Sequence, residues 1–328
     1  MKNKVNTIAV LTSGGDSPGM NAAIRAVVRA SAFYDLKCYG IYRGYQGLIE
    51  NEFVELNARS VSNTINRGGT FLKSARSKDF HDKKGREEAY KNLKAKKVDA
   101  LVVIGGDGSF TGADIFSKEF DMPVIGIPGT IDNDINGTDI TLGYDTALNT
   151  VVEAIDKIRD TASSHDRLFL IEVMGRDAGD IALNSGIGGG AEEILIPEQN
   201  MGLDRLIASL DRSRRSGKTS SIVVVAEGDQ IGKNITDLAS KLQKDLPQYG
   251  VKVTVLGHIQ RGGSPSCHDR VLASRLGVGA IDALLEGKTN IMVGIQNSKI
   301  AHVPFEEAIN IKKEFDHDLV RVADIISS

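Results

Sequence analysis

The chain has 328 residues, of which 41% are hydrophobic and 25% are charged, the composition of an ordinary globular protein. This length favours two domains, or one core with a large insertion. A net charge of −3 gives no argument for binding nucleic acid or an anionic membrane, and the two cysteines exclude a disulfide framework. The apolar runs are strand-sized and residues 1–4 lack a signal peptide's apolar region, so we expect no membrane span and a cytoplasmic location.

The first predicted strand, Thr7–Leu11, runs into the glycine-rich stretch 12–19, and a helix follows from about Pro18. A strand, a glycine-rich turn and a helix N-terminus together favour phosphate binding, because free N–H groups and the helix dipole both attract an anion. Arg25 and Arg29 lie one turn apart on this helix, away from its apolar face. They are either a solvated face or ligands for a second phosphate group.

The next part of the chain has weaker patterns. It is predicted to contain a strand at Lys37–Arg43, a weaker strand at Phe53–Leu56, a helix at Ser60–Arg67, a basic stretch at Lys73–Lys78 and a charged helix at about Lys84–Lys97.

The clearest strand-to-helix unit is the apolar strand Asp99–Ile104, which ends in Gly105–Ser109 (GGDGS). An aspartate beside a phosphate-binding loop is suited to Mg²⁺, which binds few carboxylates together with phosphate oxygens. The strand Pro123–Ile127 follows, and then the stretch 128–134 (PGTIDND). Alone, this stretch would be a solvated turn. Three strand ends with Gly/Asp loops instead indicate a ligand site at one edge of a sheet.

The remainder of the chain continues to alternate. Predicted helices are Tyr144–Thr161, Ala182–Ile187, Leu203–Arg215, Asn234–Leu246 and Asp269–Leu285, and predicted strands are Arg167–Val173, Glu193–Ile196, Ser221–Ala226, Lys252–Leu256 and Ile291–Ile295. This predicts an α/β fold with two doubly wound, Rossmann-like domains. We place the larger domain at 1–142 plus 259–309 and the smaller domain at 143–258 plus 310–328.

Two stretches resemble nucleotide-binding motifs but lack a required residue or the required structural context. Residues 216–219 (SGKT) resemble the end of a P-loop, but the first glycine of that pattern is replaced by Arg212, and the tetrad precedes a strand. Residues 186–191 fit G-x-G-x-x-A, yet no strand leads into them. The glycine cradles, aspartates and strand-end arginines instead suit phosphoryl transfer from a nucleotide to an oxygen acceptor.

Several of these motifs together resemble the bacterial ATP-dependent 6-phosphofructokinases. The matching stretches run in order over essentially the whole chain: 12–21 (TSGGDSPGMN), 66–76 (NRGGTFLKSAR), 105–109 (GGDGS), 128–134 (PGTIDND), 174–176 (MGR) and 257–265 (GHIQRGGSP). The resemblance implies transfer of the ATP γ-phosphoryl group to the 1-hydroxyl of fructose 6-phosphate, with Mg²⁺, in glycolysis.

The resemblance also implies a role for each matching residue. Asp132 is similar to the general base, and Thr130, Arg176 and Arg76 to residues that steady the phosphoryl group. Asp107 and Asp134 match the Mg²⁺ site. The ATP site matches Gly15, Arg76, Ser77, Gly106, Asp107, Gly108 and Ser109. The sugar phosphate site matches Thr130, Ile131, Asp132, Met174, Gly175, Arg176, Glu227, His258, Ile259, Gln260 and Arg261. Arg167 and Lys252 match residues that a neighbouring subunit supplies, which implies a homotetramer.

Within the family, the residues at two positions differ according to the phosphoryl donor. Pyrophosphate-using members carry Asp at the position of Gly108 and Lys at that of Gly129, so two glycines resemble the ATP type. Two departures concern binding: Lys252 stands where Arg is usual and loses the bidentate fork, and Ser77 replaces a commonly aromatic residue near adenine.

The family's effector site takes ADP or phosphoenolpyruvate between subunits. Its matching residues are Arg25, Arg29, Arg159, Gly190, Glu192 and Lys218. Ala58 replaces an expected arginine, and Ser216 and Ser220 replace a lysine and a histidine, so fewer groups bind phosphate. We therefore expect weakened or altered allosteric control.

Three alternatives remain. Gly108 and Gly129 argue against a pyrophosphate-dependent phosphofructokinase, and lipid or NAD kinases would share GGDG but not PGTIDND or GHIQRGG. A non-catalytic nucleotide-binding regulatory protein need not keep Asp132, Asp107 and Arg176 together.

Overall fold

The computed structural model describes residues 5–162, 164, 167–199, 201–218 and 220–326. The N-terminal tetrapeptide that we used to argue against a signal peptide, and Thr219 of the P-loop-like tetrad, lie outside these residues. The chain divides into two compact units. The first contains the described residues of 1–131, 135–146 and 261–313, and the second those of 132–134, 147–260 and 314–328. The predicted domain boundaries remain predictions.

The strands are β1 (Thr7–Thr12), β2 (Lys37–Ile41), β3 (Phe53–Leu56), β4 (Ala100–Gly105), β5 (Val124–Pro128), β6 (Arg167–Val173), β7 (Glu193–Leu195), β8 (Ser221–Ala226), β9 (Gly250–Val255), β10 (Ile291–Gln296) and β11 (Lys299–Pro304). The helices are α1 (Met20–Phe33), α2 (Gly44–Ile49), α3 (Lys83–Ala95), α4 (Asp107–Phe120), α5 (Tyr144–Ala162), α6 (Asp180–Gly188), α7 (Leu203–Arg215), α8 (Ile235–Asp245), α9 (Cys267–Leu285), α10 (Phe305–Asn310) and α11 (His317–Ile326). Short 3₁₀ helices lie at Asp79–His81 and Gly257–Arg261.

The first unit is built on a sheet that, within the described residues, has seven strands in the order β11-β10-β5-β4-β1-β2-β3. Its five inner strands are parallel, and the edge strands β3 and β11 are antiparallel to their neighbours. Helices cover both faces, as a parallel sheet requires. Val10 and Val102 pack in one core with α1 and α9, while Leu11 and Leu101 pack in the other with α3 and α4.

The second unit has a smaller parallel sheet of four strands over the described residues, in the order β7-β8-β6-β9. One face of this sheet packs against α7 and α8, with Leu206, Leu210, Leu238 and Leu242 in the core. Strand β9 is an edge, and its Val253 and Val255 side chains are 38% and 55% exposed. The sheet therefore presents an apolar edge on the isolated chain.

The α/β fold class with parallel sheets is confirmed, whereas the predicted helix at Ser60–Arg67 is wrong. Residues 58–63 form consecutive turns instead. The Asn57 side chain accepts hydrogen bonds from the N–H groups of Arg59 and Ser60 at 2.9 and 3.2 Å, and Asn63 has a left-handed φ of 54°. Such local side-chain bonds compete with helix formation. The structure also contains α2, β11, α10 and α11, for which no element was predicted. Within the described part of the chain, no helix has the length and apolarity to cross a bilayer.

Candidate functional site

In the first unit, three predicted loops leave the carboxyl ends of the adjacent strands β1, β4 and β5. The strand order reverses between β1 and β4, since β2 and β3 extend the sheet to one side and β5 to the other. Ligands of doubly wound sheets bind at this reversal point, outside the carboxyl ends of the strands. The glycine-rich loops of β1 and β4 therefore lie side by side where a nucleotide site is expected.

Backbone contacts hold these two loops together. The Ser13 N–H donates to the carbonyl of Ile104 at 2.9 Å. A Cβ atom at Gly105 would lie 2.5 Å from Ser109 Oγ and 2.6 Å from the Ser13 carbonyl oxygen, so only glycine allows this approach. The buried Tyr45 hydroxyl donates to the carbonyl of Ser109 at 2.6 Å. The cradle is therefore fixed by contacts that are already made without a ligand.

Asp107 is the first residue of α4, directly after Gly106, and its side chain is exposed. Among the described residues, no group of three or more His, Cys, Asp or Glu side chains is arranged to hold a metal ion. Mg²⁺ bound to a nucleotide takes most of its ligands from phosphate and water and needs one or two carboxylates. An exposed aspartate beside the phosphate cradle fits that requirement.

The remaining residues predicted for the ATP site, Arg76 and Ser77, lie in an irregular segment. Arg76 is exposed. Ser77 is half-buried, and its hydroxyl donates to Gln46 Oε1 at 2.7 Å and accepts from the Phe80 N–H at 3.2 Å. This explains the departure at Ser77, since its side chain caps a turn.

Arg261, which was expected in the sugar phosphate pocket, lies in the first unit against the β1 loop. Its guanidinium donates to the carbonyl of Asp16 at 3.1 Å, and a Cβ atom at Gly15 would lie 2.5 Å from Nη1. The arrangement adds a positive charge to the glycine loop. In this conformation Arg261 contacts the loop of the expected ATP site.

The stretch 128–134 begins beside the cradle. Pro128 pairs with Gly105, and a Cβ atom at Gly106 would lie 3.7 Å from Thr130 Cβ. Thr130 is 7% exposed and Asp132 is 3% exposed, so both side chains are sheltered from bulk water. The solvated turn that these residues alone would suggest is wrong. A hydroxyl beside a phosphate cradle, such as that of Thr130, can contact a phosphoryl group, and a sheltered carboxylate, such as that of Asp132, can take up a proton.

Asn133 is a further residue of this stretch, to which the sequence assigned no role. It has a left-handed φ of 55°, and its Nδ2 donates to Asp180 Oδ1 at 3.2 Å. Asp180 begins α6, directly after the loop that contains Arg176. Within the second unit, this bond joins the segment of Asp132 to the loop of Arg176. Since 47 positions separate the two residues, no local sequence pattern could have identified the pair.

The predicted sugar phosphate residues of the second unit come from the carboxyl ends of β8, β6 and β9, which are neighbours in its sheet. The N–H of Arg176 donates to Glu227 Oε1 at 2.8 Å, and the N–H of Met174 donates to Gln260 Oε1 at 3.2 Å. Gln260 is fully buried, whereas His258 and Ile259 are exposed. The structure thus brings the loops of Met174–Arg176, Glu227 and His258–Gln260 together.

The electrostatics of this pocket come from paired carboxylates as well as from arginine. Burial raises the pKa of the Glu172 carboxyl above its ordinary value, and the negative charge of Glu227 raises it further. Two neighbouring carboxylates disfavour an anion beside them. Glu227 therefore suits hydrogen-bond donors such as hydroxyl groups better than it suits a phosphate.

Arg167 and Lys252 lie away from these loops on the same sheet. Arg167 is the first residue of β6, and Lys252 pairs with Phe169, its third. Both residues lie toward the amino ends of strands whose carboxyl ends carry the pocket. The structure of the single chain does not bring them to the loops of their own pocket.

Gly108 and Gly129, the two glycines expected to correlate with the phosphoryl donor, have different surroundings. A Cβ atom at Gly108 would meet no atom within 4 Å, so a side chain there would project into open space. A Cβ atom at Gly129 would lie 3.1 Å from Ile104 Cγ2 and 3.2 Å from Met20 Cε. Close packing is therefore a second reason for glycine at position 129.

The predicted effector residues fall into two groups. In the second unit, Arg159 donates to the carbonyl of Gly189 at 2.7 Å and also to that of Gly190, and its Nη1 lies 3.7 Å from Glu192 Oε1. Lys218 Nζ lies 4.0 Å from the same oxygen. Arg25 and Arg29 belong to α1 of the first unit and are half-buried and exposed.

Comparison with known proteins shows the family of the chain. The family model described as phosphofructokinase matches residues 7–284. An ATP-dependent 6-phosphofructokinase 2 of Bacteroides thetaiotaomicron is 55% identical over 98% of this chain and 99% of its own length. An ATP-dependent 6-phosphofructokinase of Clostridioides difficile is 52% identical over 98% of this chain and the whole of its own length.

Solved structures show the same fold. Phosphofructokinase of Saccharomyces cerevisiae matches with a TM-score of 0.89 and 38% identity over 98% of this chain, which spans 46% of the yeast chain. A pyrophosphate-dependent phosphofructokinase of Marinobacter aquaeolei matches with a TM-score of 0.85 at 23% identity, a likeness of fold alone.

Proposed function

The chain belongs to the phosphofructokinase family, and from that membership we propose that it transfers the γ-phosphoryl group of ATP to the 1-hydroxyl of fructose 6-phosphate. The products are fructose 1,6-bisphosphate and ADP. This is a glycolytic reaction, and its substrates and products are water-soluble. We place the enzyme in the cytoplasm.

The observation that carries the proposal is the set of loops on β5, β4 and β1. The two glycine loops meet at the reversal point of the sheet, and Thr130 lies against Gly106. Phosphoryl transfer depends mostly on positioning and on electrostatic stabilisation, so it needs a fixed phosphate cradle with polar groups at its rim.

Gly108 supports ATP as the donor. It leaves open space beside the cradle, which a nucleotide can enter and an aspartate would make negative. Relatives that are 50 to 55% identical to this chain over nearly its full length are named ATP-dependent enzymes.

In the reaction, the 1-hydroxyl oxygen of the sugar attacks the γ-phosphorus and forms a new P–O bond. The bond between the γ-phosphorus and the β,γ-bridging oxygen breaks, and its electron pair leaves on ADP. Asp132 accepts the proton of the attacking hydroxyl. Thr130, Arg76 and Arg176 contact the phosphoryl oxygens and balance their charge.

Asp107, at the start of α4, would hold Mg²⁺, and Asp134 would support the same ion. When bound, the ion would neutralise phosphate charge and help to orient the phosphates of ATP. The protein would supply these carboxylates, because nucleotide-bound Mg²⁺ takes most of its ligands from phosphate and water.

The sugar phosphate is bound by the loops of the second unit. Glu227 accepts hydrogen bonds from sugar hydroxyls, and Met174, Gly175 and residues 258–260 line the site. Arg167 and Lys252 of a neighbouring subunit contact the 6-phosphate, as their position toward the other end of the strands suggests. The family resemblance implies a homotetramer with shared sites, and ADP or phosphoenolpyruvate are its candidate effectors.

The test is a coupled assay of the purified protein with fructose 6-phosphate and either ATP or pyrophosphate. We expect activity with ATP and Mg²⁺ and none with pyrophosphate. Asp132→Asn should lower kcat by about 10²–10⁴-fold with little change in KM, because the base is lost. Asp121→Asn, at an exposed position with a left-handed φ that suits asparagine, is the control and should match wild type.

Retained turnover in Asp132→Asn would contradict the assigned base. Activity with pyrophosphate alone would favour the pyrophosphate-dependent alternative, and nucleotide binding without turnover would favour a regulatory protein.

A further inference from the structure

Asp269 is a buried carboxylate outside the set of residues that are expected to contact substrate. It lies in the first turn of α9, its side chain is 0% exposed, and it belongs to the first unit. Its Oδ1 accepts from the Gly143 N–H at 2.8 Å, and its Oδ2 accepts from the Thr146 N–H at 2.9 Å and the Thr146 hydroxyl at 2.5 Å. Both oxygens thus hold the segment 143–146, which is 123 to 126 positions away in the chain.

The segment held by Asp269 is bonded in turn to the stretch that contains Thr130. The Leu142 N–H donates to the carbonyl of Pro128 at 2.9 Å, and Leu142 forms a β-bridge with Gly129. The buried Thr141 hydroxyl donates to the carbonyl of Thr130 at 2.7 Å. Segment 141–146 therefore has Asp269 at one end and the backbone of Thr130 at the other.

Burial and hydrogen bonding act on the Asp269 carboxylate in opposite directions. Burial raises the pKa of Asp269 although the hydroxyl and N–H of Thr146 and the N–H of Gly143 act in the opposite direction. Asp145 is the nearby charged group and also raises it. An acid whose pKa is raised by folding lowers stability at neutral pH, since its ionised form is better solvated in the unfolded chain.

We propose that Asp269 is a positioning residue for phosphoryl transfer, which fixes the carbonyl and side chain of Thr130 through segment 141–146. This inference rests on the function proposed above. Its basis is that a displacement of about 1 Å at a reacting group costs up to about 10²-fold in rate.

The test is a double-mutant cycle between the two ends of the segment. Asp269→Asn removes the charge and one acceptor, and Thr141→Val removes the bond to Thr130 with little change of shape. We expect each variant to lower kcat about 10-fold, with KM for ATP and fructose 6-phosphate within about 2-fold of wild type, because the cradle is kept. The double variant should also lose about 10-fold, since either change alone already releases Thr130.

Asp282→Asn is the matched control, because Asp282 lies on the same helix and its carboxylate accepts a hydrogen bond from Tyr34 at 3.0 Å. It should keep the wild-type kcat. Thermal unfolding of every variant shows that the protein measured is folded. If Asp269→Asn does not fold, Thr146→Val, which removes one donor to the same carboxylate, replaces it with the same expectation.

Two results would overturn the inference while the wild type is active: a loss of about 100-fold in the double variant, or a folded Asp269→Asn with wild-type kcat. An inactive wild type would instead overturn the proposed function.

Discussion

Gly108 and Gly129 illustrate how two residues with one expected role differ in their surroundings. Position 108 is open, whereas position 129 is closed by Ile104 and Met20. A side chain at 108 acts on the ligand alone, and a side chain at 129 must first displace the core. Substitutions at position 108 therefore test ligand binding, whereas substitutions at position 129 test core packing.

Gly108→Asp is expected to fold as the wild type does and to bind ATP poorly. Its carboxylate adds negative charge beside the phosphates, so we expect KM for ATP to rise by about 10-fold or more, as a single lost contact of about 1.4 kcal/mol would cause. The measurement is an ATP saturation curve together with thermal unfolding. Gly108→Ala should leave KM close to wild type, and an equal rise in both variants would show that size rather than charge matters.

Gly129→Ala is expected to lower stability although it adds one methyl group. The Ile104 and Met20 side chains would have to move by a few tenths of an ångström, and overpacking of this kind costs about 1–3 kcal/mol. Chemical denaturation of this variant and of Gly108→Ala measures the difference. Equal stability of the two would show that the core relaxes around position 129.

At the scale of elements, β9 combines an exposed edge with a departure from the family pattern. Lys252 is exposed and pairs with Phe169 on β6. A lysine keeps the charge of the arginine expected here but lacks its planar pair of donors, so a phosphate is held by fewer fixed bonds.

Lys252→Arg is therefore expected to lower KM for fructose 6-phosphate severalfold and to leave KM for ATP unchanged. The measurement is a saturation curve for each substrate. Lys241→Arg, an exposed change on α8 of the same unit, is the control. A KM for fructose 6-phosphate that stays at the wild-type value in Lys252→Arg would contradict the proposed contact.

The elements that could be predicted from the sequence are those with a strong local pattern. Strand β4 is an uninterrupted apolar run buried on both faces, and such a run can be identified as a strand from the sequence alone. Strand β11 was missed because its hairpin turns at Asn297 and Ser298, both with left-handed φ values of 49° and 62°. The usual signal for that turn is Asn-Gly, and serine gives no such signal.

The same distinction holds for the site. The glycine and aspartate loops were predictable because each lies directly after a strand. The bonds of Asp269 to Gly143 and of Tyr45 to Ser109 join residues 126 and 64 positions apart, and only the fold reveals them. Short-range patterns thus give the groups that contact a ligand, while the groups that hold them are found in three dimensions.

At the scale of the whole molecule, the residues predicted to bind an effector bear on the regulation that we expect. Arg159 already donates to two backbone carbonyls and lies near the buried Glu192 carboxylate, which accepts from the Ile222 N–H at 2.7 Å. Ser216, where the family has a lysine, donates its hydroxyl to the Ser213 carbonyl at 2.8 Å. Fewer cations and donors are left for an effector phosphate than the family pattern provides.

We therefore expect weakened or altered allosteric control. The curve of rate against fructose 6-phosphate concentration should be close to hyperbolic, and ADP or phosphoenolpyruvate should shift it little. Ser216→Lys, which restores a cation at an exposed position, should increase the response to either compound. A strongly sigmoidal wild-type curve that ADP relieves and phosphoenolpyruvate restores would contradict this expectation.

The discontinuity of the first unit also has a consequence for biosynthesis. Helix α1 packs its apolar face against α9, yet the whole segment 147–260 is translated between the first and last parts of that unit. At about 5–20 residues per second, those 114 residues (260 − 146) occupy the ribosome for roughly 6–23 s. Helix α9 is translated only after residues 147–260. Until it has been made, Ile24 and Val27 of α1 have no α9 to cover them. The nascent chain thus exposes the apolar face of α1 until α9 has been made.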